Sequence, residues 1–174
     1  YGFTEKQVDE VVKLAKSNSG KYIQSPENNY QVIKHRHWFI ITPVVPTESE
    51  NIIIEEGASE ILFSYGKLNI EITSNVTYQG SAEVVSLDAG LITFPLLLRK
   101  RKASDYFYPL GMKKKKKLNR FLIDLKLSST EKENVWVIES NQRIIWVVGY
   151  RIDERFKITE QTKNVFQFLL TPAK

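Results

Sequence analysis

The 174-residue sequence has no cysteine, which excludes a disulfide framework and any thiolate metal site. It has only two histidines. His35 and His37 would share one face of a strand, but with no cysteine and no nearby carboxylate they complete no ligand set, and no metal is expected. Long apolar runs are missing too. The longest, Leu91 to Leu98, is broken by Thr93 and Pro95 and falls well short of a bilayer span. The first residues carry no basic-then-apolar signal pattern. There is no glycine-rich phosphate loop, since Ser19-Gly20-Lys21 lacks the upstream glycine it would need. No nucleophile-elbow spelling and no carboxylate pair stand out. Asn75-Val76-Thr77 spells a glycosylation sequon, but no secretory route gives it meaning. Together these absences point to a cytoplasmic protein that makes no membrane contact and has no catalytic residues or cofactor of its own. Because the chain starts at Tyr1 in what reads as the middle of a folded region, it is taken as part of a longer protein.

What is present is ordinary globular composition, 42% apolar and 26% charged, with one sharp asymmetry. Between Arg99 and Lys126 stand eleven Lys or Arg against two acids, Asp105 and Asp124, while the rest of the chain carries fourteen against eighteen. One short stretch therefore holds all the excess positive charge, and such concentration suits a polyanionic partner.

Thr4 and Gln7 form a capping-box pair, and Val8, Val11, Val12 and Ala15 follow at helical period, so a helix runs to about Lys16. Lys21 to Ser25 and Tyr30 to His35 read as a hairpin around Pro26-Glu27-Asn28-Asn29, with a further strand over 37–42. Pro43, Pro46 and the polar residues up to Asn51 make a linker, which divides the chain into 1–46 and 47–174. Beyond it come short strands over 52–54, 60–64, 67–73 and 83–87, then a denser one over 91–98 in which Pro95 implies an edge or a bulge. Leu118, Phe121, Leu122 and Leu125 fall at i, i+3, i+4 and i+7 and predict a helix over 114–126. Val135 to Glu139 and Arg143 to Val148 form a central hairpin, and a last strand covers 165–170. The class is α+β, strand-rich, with one amphipathic helix packed on the sheet, preceded by a helix plus hairpin.

Lys113, Lys114, Lys115, Lys116 and Lys117 stand in the first turn of that predicted helix. Cations there oppose the helix dipole by about 0.3–1 kcal/mol each at low salt. A bound phosphate backbone would resolve the conflict; a solvated run that aids solubility is the plain alternative. Arg120 extends the tract. Arg99 and Arg101 would share one strand face, opposite Lys100 and Lys102. Tyr106, Phe107 and Tyr108 are either core or a stacking surface for a nucleotide. Arg151, Asp153 and Arg155 alternate as a ladder that is equally a salt-bridge row or an RNA contact. An anionic-membrane surface would need Leu118, Phe121, Leu122 and Leu125 free to insert.

Two blocks carry a resemblance. The first runs Asp105-Tyr106-Phe107-Tyr108-Pro109-Leu110-Gly111-Met112-Lys113, then Lys116-Lys117-Leu118-Asn119-Arg120-Phe121-Leu122-Ile123-Asp124-Leu125-Lys126. The second is Ile144-Ile145-Trp146-Val147-Val148-Gly149-Tyr150-Arg151-Ile152-Asp153-Glu154-Arg155-Phe156-Lys157-Ile158-Thr159. Their pairing resembles the C-terminal region of bacterial tRNA(Ile)-lysidine synthetases. It implies a parent enzyme, a carbon–nitrogen ligase that uses ATP with Mg to join lysine to the wobble cytidine of a CAU-anticodon isoleucine tRNA. It also implies that this region grips the tRNA on its acceptor-stem side and helps reject methionine tRNA. The family's Ser-Gly-Gly-x-Asp-Ser phosphate signature is absent, which places ATP and lysine on another segment; a homodimer of the parent stays open. Lys114 stands where many relatives carry glycine, and 128–134 is acidic where many carry an arginine- and proline-bearing loop. The competing reading is a non-catalytic protein-interaction domain with a solubilising lysine tract.

Overall fold

Polar–apolar alternation and turn chemistry account for most of the elements in the computed structural model, which describes residues 2–17, 21–25, 30–35, 37–43, 51–74 and 81–173. The chain divides into two compact units, Tyr1–Glu48 with Lys126–Glu133, and Ser49–Leu125 with Asn134–Lys174. The expected turn at 26–29, most of the expected linker and the Asn75 sequon lie outside the described residues.

In the first unit, helix α1 (Glu5–Ala15) starts as its sequence signal asks: the Thr4 N–H donates to Gln7 Oε1 at 3.1 Å. Gln7 Nε2 then donates to the Gln24 carbonyl at 2.6 Å, tying α1 to strand β1 (Tyr22–Gln24). Only Leu14 of this helix is buried; Val8 and Val12 are exposed, so the expected apolar stripe is not its buried side. Strands β2 (Tyr30–His35) and β3 (Trp38–Pro43) complete an antiparallel sheet in the order β1-β2-β3. His35 pairs in register with Trp38 across the turn, so His35 and His37 do not follow one another along a single strand.

The second unit is built on two antiparallel sheets. One has the order β13-β12-β11-β8-β4, from β4 (Asn51–Ile54), β8 (Leu96–Lys100), β11 (Trp136–Ser140), β12 (Arg143–Val147) and β13 (Arg151–Ile152). The other has the order β5-β6-β14-β7, from β5 (Glu60–Phe63), β6 (Gly66–Thr73), β7 (Val84–Asp88) and β14 (Val165–Pro172). Their inner faces share one core of Ile54, Leu68, Leu87, Leu98, Trp136, Ile138 and Phe168, among others. Trp146 of β12 stacks on Phe168 of β14 with centroids 5.6 Å apart, joining the sheets. At Gly66 (φ +148°) an added Cβ would lie 2.3 Å from the Thr171 carbonyl oxygen, so β6 and β14 approach as only glycine permits.

The expected strand over 91–98 begins later. Residues Ala89–Leu91 form a 3-10 turn, the Phe94–Pro95 bond is cis, and β8 runs from Leu96 into the basic residues Arg99 and Lys100. The amphipathic helix is shorter as well. Lys116–Lys117 form strand β10, paired with β9 (Tyr106–Phe107), and helix α2 covers Leu118–Asp124. The Leu118 N–H donates to the Asp105 carbonyl at 2.8 Å, so a neighbouring loop caps the helix where the pattern alone would extend it. Leu118, Phe121 and Leu122 are buried while Leu125, the C-cap, is exposed. Phe121 packs edge-to-face on Phe107 at 5.1 Å, so α2 rests on the small β9–β10 pair, and β9 in turn packs on β12. A helix missed in the sequence, α3 (Ser129–Glu133), belongs to the first unit. Its signal was a second capping box: Ser128 N–H donates to Glu131 Oε2, and Glu131 N–H donates to Ser128 Oγ.

Candidate nucleic-acid interface

The two sequence blocks that carried the resemblance clasp each other, Tyr108 meeting Asp153 45 residues along the chain. Pro109 bridges Asp153, and the Leu110 N–H donates to the Ile152 carbonyl at 3.0 Å. Met112 N–H donates to the Pro109 carbonyl at 2.8 Å across Gly111, whose φ of +87° is what the third position of a type II turn requires. Glu154 accepts the Gly111 N–H at 2.7 Å, and its own N–H donates to the Tyr108 carbonyl at 2.6 Å. Hydrogen bonds from Lys157 and then from Gly111 hold the Glu154 carboxyl below the usual carboxylate range. The lysine tract leaves this turn and ends in β10 and α2, so it is anchored at both ends.

That frame sorts the five lysines. Lys113, Lys114 and Lys117 are exposed and have no ion-pair partner among the described residues. Lys115 is exposed with its ammonium 5.2 Å from the Tyr106 ring centroid. Lys116 is half-buried, pairs with Asp124 at 2.8 Å and lies 5.8 Å from the Phe121 ring. The hydrogen bond from Lys116 holds the Asp124 carboxyl below its ordinary range. Arg120 is 70% exposed and also reaches Asp124, at 3.3 Å. The tract therefore precedes the helix instead of filling its first turn, and the expected dipole conflict does not arise: Lys117 is the N-cap, in extended conformation.

Arg99 is a correction. Its side chain is 3% exposed, donates to both Asp105 oxygens at 2.8 and 2.9 Å, and also binds Glu139. Burial disfavours the charged guanidinium, but the hydrogen bonds it donates to Asp105 and Glu139 outweigh it and raise the Arg99 pKa above its ordinary value. Such a group is a structural cation, not a surface one. Arg101 follows the end of β8 and is half-buried, with its N–H on the Val135 carbonyl. Lys100 lies 4.7 Å from the Trp136 ring.

The expected Arg151–Asp153–Arg155 ladder is absent. Arg151 is exposed in β13, without an ion pair among the described residues. Asp153 is fully buried and caps a 3-10 turn, Glu154–Phe156, that swings Arg155 back onto it. Arg155 Nε and Nη2 bind the Asp153 carboxylate at 2.9 and 2.8 Å, while Tyr108 N–H donates to Asp153 Oδ2. The guanidinium stacks 4.4 Å from the Tyr108 ring, and the Asp153 hydrogen bond raises its pKa. The three aromatics part ways on and just after β9: Phe107 is buried, Tyr106 is 50% exposed and Tyr108 carries Arg155.

Sequence reasoning missed Arg143, Gln142 and Glu139. With Ser104, Asp105, Tyr106, Ile144 and Arg155 they line a polar cleft of about 260 Å³ beside the tract. Their signal is tertiary, because the cleft gathers residues from four separate segments.

The family model for the TilS substrate C-terminal domain matches residues 96–168, and the model for the TilS substrate binding domain matches residues 1–44. Among curated proteins, tRNA(Ile)-lysidine synthase of Parabacteroides distasonis is 34% identical over 95% of this chain and 38% of its own length. The enzyme of that name from Bacteroides thetaiotaomicron is 32% identical over 94% of this chain and 36% of its own. The one from Clostridium tetani is 31% identical over 100% of this chain and 39% of its own. The chain thus spans under two-fifths of these relatives. A crystal structure of a TilS C-terminal domain superposes with a TM-score of 0.62 at 18% identity, covering 72% of this chain and 99% of that domain, which places the strand-rich fold. With two family models matched in order, relatives aligned along nearly its whole length and this fold in agreement, the chain belongs to the tRNA(Ile)-lysidine synthase family and carries its C-terminal domain.

Proposed function

We propose that this chain is the tRNA-holding part of an ATP-dependent ligase that joins lysine to the wobble cytidine of a CAU-anticodon isoleucine tRNA. The chain itself has no glycine-rich phosphate loop, so ATP with Mg, and lysine, belong to other residues of the parent. Its own work is to position the tRNA through the acceptor-stem side and to favour the isoleucine over the methionine tRNA, in a cytoplasmic parent.

The observation that carries this reading is the anchored lysine tract. Lys113, Lys114 and Lys117 stand exposed without acidic partners among the described residues, on a turn locked by Glu154 at one end and by strand pairing at the other. Exposed ammonium groups on a fixed frame suit phosphates, which supply affinity and salt dependence but no base specificity. Lys115, Arg120 and Arg151 are exposed and extend the same positive character. Arg99 takes no part.

The test is tRNA binding as a function of salt. Lys113→Gln, Lys114→Gln and Lys117→Gln combined should weaken tRNA binding and shrink the slope of log affinity against log salt by up to about one unit per lost contact. Unchanged affinity and slope would leave the tract as a solubilising run and favour the protein-interaction reading. In the parent enzyme the same change should raise the tRNA Michaelis constant and leave those for lysine and ATP alone.

A further inference from the structure

The cleft beside the tract has a construction that the phosphate-binding lysines do not use. We propose that it takes one unpaired nucleotide of the bound RNA, with the base against Tyr106, an exocyclic amine on Glu139 and the phosphate at Arg143. The proposal rests on the RNA-holding reading above and adds base selectivity to it.

Size comes first. About 260 Å³ lies just below the roughly 300–1,000 Å³ range of drug-sized pockets and suits a single base. Tyr106 offers a half-exposed ring already flanked by a cation, Lys115 at 5.2 Å, and aromatic rings beside basic groups are the usual platform for an unstacked base.

The two carboxylates in the cleft wall then differ. Asp105 is spent: Arg99 takes both of its oxygens, and Lys102 N–H adds to Oδ2 at 2.7 Å. Glu139 gives Oε1 to Arg99 but has no partner for Oε2 among the described residues, and its side chain keeps 16% exposure. It is thus a carboxylate held in place from behind with one oxygen left to accept. A register shift between Ile138 and Glu139 in the β11–β12 pair marks a bulge at this point, and bulges re-aim side chains beside sites. A lone acceptor of this kind favours a base with an exocyclic amine, such as cytosine, over uracil, which has none.

The rim supplies the charge. Asn141 and Gln142 both have positive φ, 46° and 60°, so the β11–β12 turn is a tight two-residue one that sets Arg143 at the cleft mouth. Arg143 is exposed and unpaired among the described residues. Arg155 is locked on Asp153 and Tyr108, so it forms a fixed side of the cleft.

The experiment compares three RNA hairpins of one stem, one blunt, one with a single unpaired 3′ cytidine and one with a single unpaired 3′ uridine, each titrated into the chain. The cytidine overhang should bind about tenfold tighter than the blunt stem, and several-fold tighter than the uridine one, on the scale of one stacked and one hydrogen-bonded base. Tyr106→Ala and, independently, Arg143→Ala should collapse the overhang-to-blunt ratio towards one; Arg143 lies outside the core, so its loss leaves the fold intact. Glu139→Gln, checked for folding by circular dichroism, should abolish the cytidine preference. Equal affinity for all three hairpins overturns the cleft proposal while leaving the lysine reading standing. Variants that lower blunt and overhang binding in the same proportion overturn it too. Failure of every hairpin and of tRNA to bind overturns the RNA-holding reading itself.

Discussion

Two basic segments only ten residues apart, Arg99–Lys102 and Lys113–Lys117, look alike in the sequence and meet opposite fates. The first starts inside a central strand, where Arg99 faces Asp105 and Glu139 and is withdrawn from water. The second lies on a turn and a two-residue strand at the surface, where among the described residues only Lys116 finds a carboxylate. A cation reached by two carboxylates in the interior serves the fold, whereas cations held apart from acids at the surface are available to a partner. Charge density in a sequence therefore measures neither role until burial is known.

Removing the buried cation should have the largest effect. Arg99→Ala leaves Asp105 and Glu139 without their shared counterion, and denaturant unfolding should show a loss of about 3–5 kcal/mol. A loss under about 1 kcal/mol would mean that water reaches the cluster and that Arg99 belongs with the surface lysines after all. Next comes the platform beneath the tract. Leu122 is fully buried in α2, so Leu122→Ala should cost roughly 2–5 kcal/mol; a much smaller cost would mean that the helix is not docked. Much smaller is the effect expected at the surface, where Lys113→Gln, Lys114→Gln and Lys117→Gln together should move unfolding stability by no more than about 0.5 kcal/mol, while tRNA binding falls. A large stability change would erase the contrast between the two segments.

The smallest effect is a pH dependence at the clasp. The Glu154 carboxyl is held below its ordinary pKa by Lys157 and Gly111. Its contribution is therefore present above the unfolded-state pKa and is lost as pH falls through the lower folded value. Glu154→Gln should lower the melting temperature slightly near neutral pH, and the gap to the wild type should close on the acid side of the usual glutamate range. A gap that is constant with pH would mean that the carboxylate charge is irrelevant to the clasp.

Much of the fold was legible because its causes are local. Alternation or β-branching marked β5 and β6, the Thr4–Gln7 signal marked the start of α1, and Ser140-Asn141-Gln142 marked a hairpin. What escaped were elements whose state a distant segment decides. Nothing in Lys116-Lys117 resembles a strand until Tyr106-Phe107 lies alongside, and nothing stops the helical pattern at Leu118 except the Asp105 carbonyl. The alternation of Arg151, Asp153 and Arg155 suggested a strand face, but burial of Asp153 turned the chain and folded Arg155 back. The Ser128–Glu131 box, by contrast, was written locally and passed over, hidden by the acidic look of the segment.

By itself the sequence determined where positive charge concentrates and which stretches alternate, since these depend on neighbours along the chain. Tertiary structure alone decided which cations face water. Arg99 meets one partner 6 residues away and another 40 residues away, and only their joint approach makes burying a guanidinium tolerable. The same holds for the cleft, which Tyr106, Glu139, Arg143 and Arg155 line together because β9, β11, β12 and a 3-10 turn converge.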